Sequence, residues 1–178
     1  MTNVPGAGFV ALLAVGVTLL ALPLLAGGSL LVARATRKSL LWTLFGVHTA
    51  AILVGLAVFV STSGIDGVQD APIGAAVGFV RFSLAVVGGG LVVAVVAEGI
   101  PIAVGAALTV VVGEASWRRG LWYATVGYAL GGVGGALSGL TLTGSIEAAA
   151  FGALLAGPVA VAAPLLEAVA TRRQLPTP

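Results

Sequence analysis

The stretch Phe9–Ala33, FVALLAVGVTLLALPLLAGGSLLVA, decides the fold class. It carries no charged residue. A helix rises about 1.5 Å per residue, so about 20 residues cross a hydrocarbon core roughly 30 Å thick, and this stretch exceeds that length. A membrane β-strand would instead alternate apolar and polar positions over about ten residues. The run Val10–Leu22 within the stretch does not alternate. It therefore predicts a bilayer-spanning α-helix. Pro23 and the Gly27–Gly28 pair can kink such a helix, but a packed bundle can re-satisfy the freed backbone groups, so they do not end it.

Outward from this block the same pattern repeats. Phe9–Ala33 stops at Arg34-Ala35-Thr36-Arg37-Lys38, and a second apolar block follows over Leu40–Val60. The turn-rich stretch Ser61–Pro72, with Asp66 and Asp70, reads as an exposed loop. Near the C-terminus, Leu121–Leu142 and Ala148–Ala170 are joined by Thr143-Gly144-Ser145, which predicts an antiparallel helical hairpin. Ser145 is placed to cap the last helix, and Glu147 sits in its first turn, where a negative charge complements the helix dipole.

Composition agrees. Hydrophobic residues make up 59% of the chain and charged residues 8%, against roughly 25% charged in an ordinary soluble domain, so lipid is the solvent this chain requires. The net charge of +2 does not point to nucleic acid, because the basic residues stand in pairs between apolar blocks and form no continuous face. Met1–Gly8 has no Lys or Arg, and the block behind it is too long for a signal-peptide core, so it reads as the first span. With no cysteine, disulfides, thiolate metal sites and thiol catalysis are excluded.

The middle, Ile73–Gly113, reads two ways. As one helix it would be roughly 61 Å long, enough for two crossings. Charge selects one crossing. With a single span here, Arg34, Arg37, Lys38, Arg118, Arg119, Arg172 and Arg173 fall on one side of the membrane, while Asp66, Asp70 and Glu147 fall on the other. The resulting expectation is an all-α, polytopic transmembrane helix bundle of five spans, 9–33, 40–60, 83–113, 121–142 and 148–170. Its N-terminus lies outside and its C-terminus in the cytoplasm, in the cell membrane. The surplus length is assigned to Ile73–Phe82 lying along the outer interface, with Arg81 in the headgroups, before a long helix bent near Gly99 and Pro101. The six-span alternative makes Glu98-Gly99-Ile100-Pro101 a tight turn between 73–97 and 100–117, with Gly99 as the helix-ending glycine. Trp42, Trp117, Trp122 and Tyr123 flank basic residues at block ends, the level amphipathic rings prefer.

Gly127, Gly131, Gly135 and Gly139 recur every four residues and line one ridge of a helix. Bare backbone there admits a second helix at close range. Ala148, Gly152, Ala156 and Ala160 repeat the spacing in the last block, so an intramolecular seam is the first reading and an oligomer interface or lipid groove the others.

Glu98 falls near the middle of the third span, where an ionised carboxylate costs on the order of 3 kcal/mol, so it must face the bundle interior, be protonated or be paired. His48, the single histidine, lies about eight residues into the second span, at a depth that allows pairing with Glu98 or a hydrogen bond to another helix. Arg81 is the third costly residue, and snorkelling to the outer interface accounts for it.

The acidic residues outside the spans lack the dense, regular spacing of a calcium loop, and Gly88-Gly89-Gly90 lacks the Lys and Ser/Thr of a phosphate loop. No metal or other cofactor is expected. One histidine, no cysteine and no paired intramembrane carboxylates leave little for catalysis, and Ser83 and Ser138 read as packing residues, so the chain is not expected to be an enzyme. The expected partners are the lipid bilayer and either further copies of the chain or another membrane protein. Two roles follow: a structural or accessory membrane subunit packed through the glycine ridge, or a small transporter or channel component that moves a proton, ion or small solute past Glu98 and His48.

Overall fold

The computed structural model describes residues 7–63, 87–112 and 116–173, which form helices and contain no strand. There are five: α1 (Ala7–Thr36), α2 (Leu40–Ser63), α3 (Val87–Val111), α4 (Trp117–Thr143) and α5 (Ile146–Arg173). Among the described residues three segments, Val17–Thr36, Val87–Val111 and Ile146–Ala163, are long and apolar enough to cross a membrane. The chain is thus a membrane-embedded helical protein. Over its described side chains α2 is equally apolar but shorter, Leu40–Gly55. At 27 residues α4 has ample length, but its many glycines add almost no apolar surface and lower its mean hydropathy.

The packing is the reverse of a soluble core. Small residues fill the centre, with Ala26, Ala106 and Ala153 fully buried, while large ones face outward, Val111 80% and Leu142 83% exposed. With lipid outside, burying a large side chain brings no hydrophobic gain over leaving it in acyl chains, and close backbone contact becomes the main source of attraction. The buried cluster draws Leu22, Ala26 and Leu30 from α1, Ile102 and Ala106 from α3, Tyr128 from α4 and Val161 from α5. α2 lies along α1 at the edge of this group.

The turns follow local chemistry. Between α1 and α2, Arg37 adopts φ 54°, a left-handed conformation usually left to glycine, and reverses the chain within three residues. Between α4 and α5, Gly144 takes φ 68° and its N–H donates to the Leu140 carbonyl at 2.8 Å. The Ala148 N–H then donates to Ser145 Oγ at 3.1 Å, the capping bond expected of that serine, and Glu147 stands in the first turn.

The hairpin is closed by the glycine ridge. A side-chain carbon on Gly131 would meet Ala160 Cβ and the Ala156 carbonyl, one on Gly135 the Gly152 carbonyl, and one on Gly139 the Ala148 carbonyl. Gly127 is the loosest: a side-chain carbon there would stand 3.4 Å from the Ala160 carbonyl oxygen. Each four-residue step along α4 is matched by a four-residue step back along α5, so the ridge is occupied by the last helix of the same chain. Other glycines seat neighbours: Gly132 takes the Pro23 ring, which holds the kink-prone part of α1 in the core, and Gly157 lies under the Tyr128 ring.

α3 corrects the turn reading of Glu98-Gly99-Ile100-Pro101. Gly99 is helical, φ −61° and ψ −43°, and the chain runs through it without reversing. The irregularity is a π-turn over Val95–Gly99, where the Ile100 N–H reaches back to the Val95 carbonyl. Pro101 has no N–H to offer and its ring crowds the carbonyl one turn earlier; one extra residue in the preceding turn relieves both demands without ending the helix. Arg81, Ser83, Asp66, Asp70, Glu114 and the interfacial segment expected over Ile73–Phe82 lie outside the described residues.

Candidate functional site

Buried serine and threonine hydroxyls among the described residues are satisfied locally. Ser29, Thr109 and Thr125 each donate to a carbonyl of their own helix, and Thr43 donates to Ser39 just ahead of α2. Ser138 likewise bonds the Gly134 carbonyl, away from His48. His48 and Glu98 behave differently: they reach across from α2 to α3, with His48 Nε2 2.9 Å from Glu98 Oε2. Both are buried, His48 at 5% and Glu98 at 2% exposure.

Local structure aims both groups. Glu98 sits inside the π-turn, whose widened backbone rotates the residues after it relative to a regular helix. His48 is anchored by its other nitrogen, Nδ1, 2.8 Å from the Leu44 carbonyl one turn back. A carbonyl can only accept, so Nδ1 carries a proton. Along the line from Nε2 to Oε2 there is then one further proton. It resides on Glu98, giving a neutral acid that donates to a neutral imidazole, or on His48, giving an ion pair. Both forms have zero net charge, which is what a low-dielectric interior requires of two ionisable groups. The arrangement holds one exchangeable proton that can pass between two heavy atoms without moving either.

The pair lines a half-open cleft of about 180 Å³ between α2, α3 and the start of α4, bounded along α3 from Leu91 to Ala103 with Glu98 midway. Its walls are almost wholly apolar, among them Leu41, Phe45, Leu91, Val95, Ile102 and Trp117. Leu41 and Phe45 share the α2 face with His48 and run back to the Lys38 end of the helix, while Trp117 opens α4 beside Arg118 and Arg119. The cleft thus leads from the basic boundary about 12 Å inward to the pair, at about 1.5 Å for each helical residue between Leu40 and His48.

Of the costly polar residues singled out in the sequence, Glu98 and His48 come together. Tyr128 was not singled out. It is buried to 1% exposure over Gly157, and no hydrogen bond reaches its hydroxyl among the described residues. The signal was present, since a tyrosine within an apolar glycine-rich span needs either an interface position or a seat in the core. Among the described residues no three His, Asp or Glu side chains gather as metal ligands.

The chain matches no family model, no curated protein and no solved structure.

Proposed function

We propose that the chain is a five-span protein of the cell membrane, N-terminus outside and C-terminus cytoplasmic, and that it serves as a structural or accessory subunit. The observation that supports this reading is the close α4–α5 seam, where Gly131, Gly135 and Gly139 face Ala148, Gly152, Ala156 and Ala160 of the same chain, which we read as a glycine zipper. It supports a preformed, rigid bundle that offers a mainly apolar exterior to lipid or to a membrane-protein partner. Few polar side chains remain for other work. What supports the span count is that a five-span path gathers the seven cations other than Arg81 on one side, and that the third helix does not turn at Glu98.

A second reading has one specific observation in its favour. The buried Glu98–His48 contact supports a transporter or channel component that carries a proton or small solute. One assay separates the two. The purified chain is reconstituted in vesicles enclosing a pH-sensitive dye, and an outward proton gradient is applied. The subunit reading expects dissipation no faster than in empty vesicles, with Glu98→Gln indistinguishable from the parent. Fast dissipation that is lost in Glu98→Gln would overturn it in favour of the second reading.

A further inference from the structure

The cleft lined by Glu98 combines features that specify a ligand. Its volume, about 180 Å³, slightly exceeds that of engineered apolar cavities of about 150 Å³ that accept a benzene ring. Phe45 and Trp117 line it, and aromatic walls favour a flat occupant in offset or edge-to-face contact. Midway along the α3 wall, Glu98 uses Oε2 for His48, and its other oxygen, Oε1, takes no hydrogen bond from the described residues. A carboxyl oxygen of a residue only 2% exposed that has no hydrogen-bond partner among the described residues is costly, and the cleft's other described walls are almost wholly apolar. A hydroxyl carried in by a molecule from the bilayer satisfies it.

We infer that the cleft binds a neutral, lipid-soluble molecule of the phenol class: one ring lying between Phe45 and Trp117, with its hydroxyl donating to Glu98 Oε1. The half-open side leaves room for a ring substituent to extend into lipid. Entry is from the basic boundary, where Leu41 and Phe45 are exposed at the rim. The inference goes beyond the scaffold reading and holds whether or not the Glu98–His48 pair moves protons.

Trp117 supplies the readout, because a bromine atom in contact with an indole quenches its fluorescence; the other tryptophans, Trp42 and Trp122, do not line the cleft. The full chain in phosphatidylcholine nanodiscs is titrated at neutral pH with 4-bromophenol and, separately, with bromobenzene, both expressed as concentration in the bilayer. Saturable quenching by 4-bromophenol is expected, about tenfold tighter than any saturation by bromobenzene, the weight of one added hydrogen bond to a buried acid. The saturable component disappears in Trp117→Phe. It also disappears in Ala103→Phe, which fills the cleft from an exposed position and leaves the core alone. Equal affinity for the two probes, quenching linear in both, or saturation that survives Ala103→Phe would each overturn the inference.

Discussion

Gly135 and Gly152 lie back to back across α4 and α5, so that a side-chain carbon added to either would run into the carbonyl oxygen of the other. Neither helix can yield there, because the atom met is backbone and belongs to a hydrogen-bonded ladder. Gly134, one residue away, faces open space. The pair therefore fixes how closely the hairpin closes, and the contrast with Gly134 makes the claim specific.

Gly135→Leu and Gly152→Leu are expected to destabilise the folded chain by about 3 kcal/mol or more, at the upper end of overpacking effects. Gly134→Leu should stay within about 0.5 kcal/mol of the parent, as a surface change does. Unfolding in mixed detergent micelles, followed by circular dichroism, measures both. Similar losses at 134 and 135 would mean that glycine content, and not the seam, governs stability.

The Glu98–His48 bond predicts unequal effects at its two ends. With Nδ1 protonated and bonded to Leu44, Nε2 can accept, so the amide of Glu98→Gln can donate to it and the substitution should cost less than about 1 kcal/mol. His48→Ala leaves a buried carboxyl without its partner and should cost about 3 kcal/mol. The same unfolding assay decides, and equal losses would identify the charged form of the pair as the one that holds α2.

Tyr128 separates packing from hydrogen bonding. Its ring is seated on Gly157, whereas its hydroxyl has no partner among the described residues. Tyr128→Phe should leave stability within about 1 kcal/mol of the parent, while Tyr128→Ala should cost about 3–5 kcal/mol through the cavity it opens. A large loss in Tyr128→Phe would reveal a polar partner for the phenol.

Because the chain contains no cysteine, single introduced cysteines report topology against no background. With a membrane-impermeant maleimide on intact cells, Gly64→Cys should label, Ser116→Cys and Gln174→Cys should label only after permeabilisation, and Ile100→Cys should stay unreactive. Labelling of Ser116→Cys from outside would reverse the five-span assignment.

That the chain is helical and made for lipid was legible from its residues alone, because block length, the lack of charge and the absence of alternation are local properties that no neighbour can change. It also carried the hairpin: two small-residue ridges at matching four-residue spacing, joined by three residues, have little choice but to meet, and Ser145 caps as its position dictates. Tertiary structure decided how each helix is rotated and how α3 passes Pro101. Chain composition around Glu98-Gly99-Ile100-Pro101 fits a turn as well as a π-turn, since glycine and proline serve both; packing of α3 against α1, α4 and α5 keeps the helix continuous. That rotation brings Glu98 to His48, fifty residues earlier in the chain, and places Tyr128 over Gly157. Such contacts depend on the angular setting of separate helices, which in lipid is fixed by side-chain shape at the seams and leaves no periodic mark in the sequence.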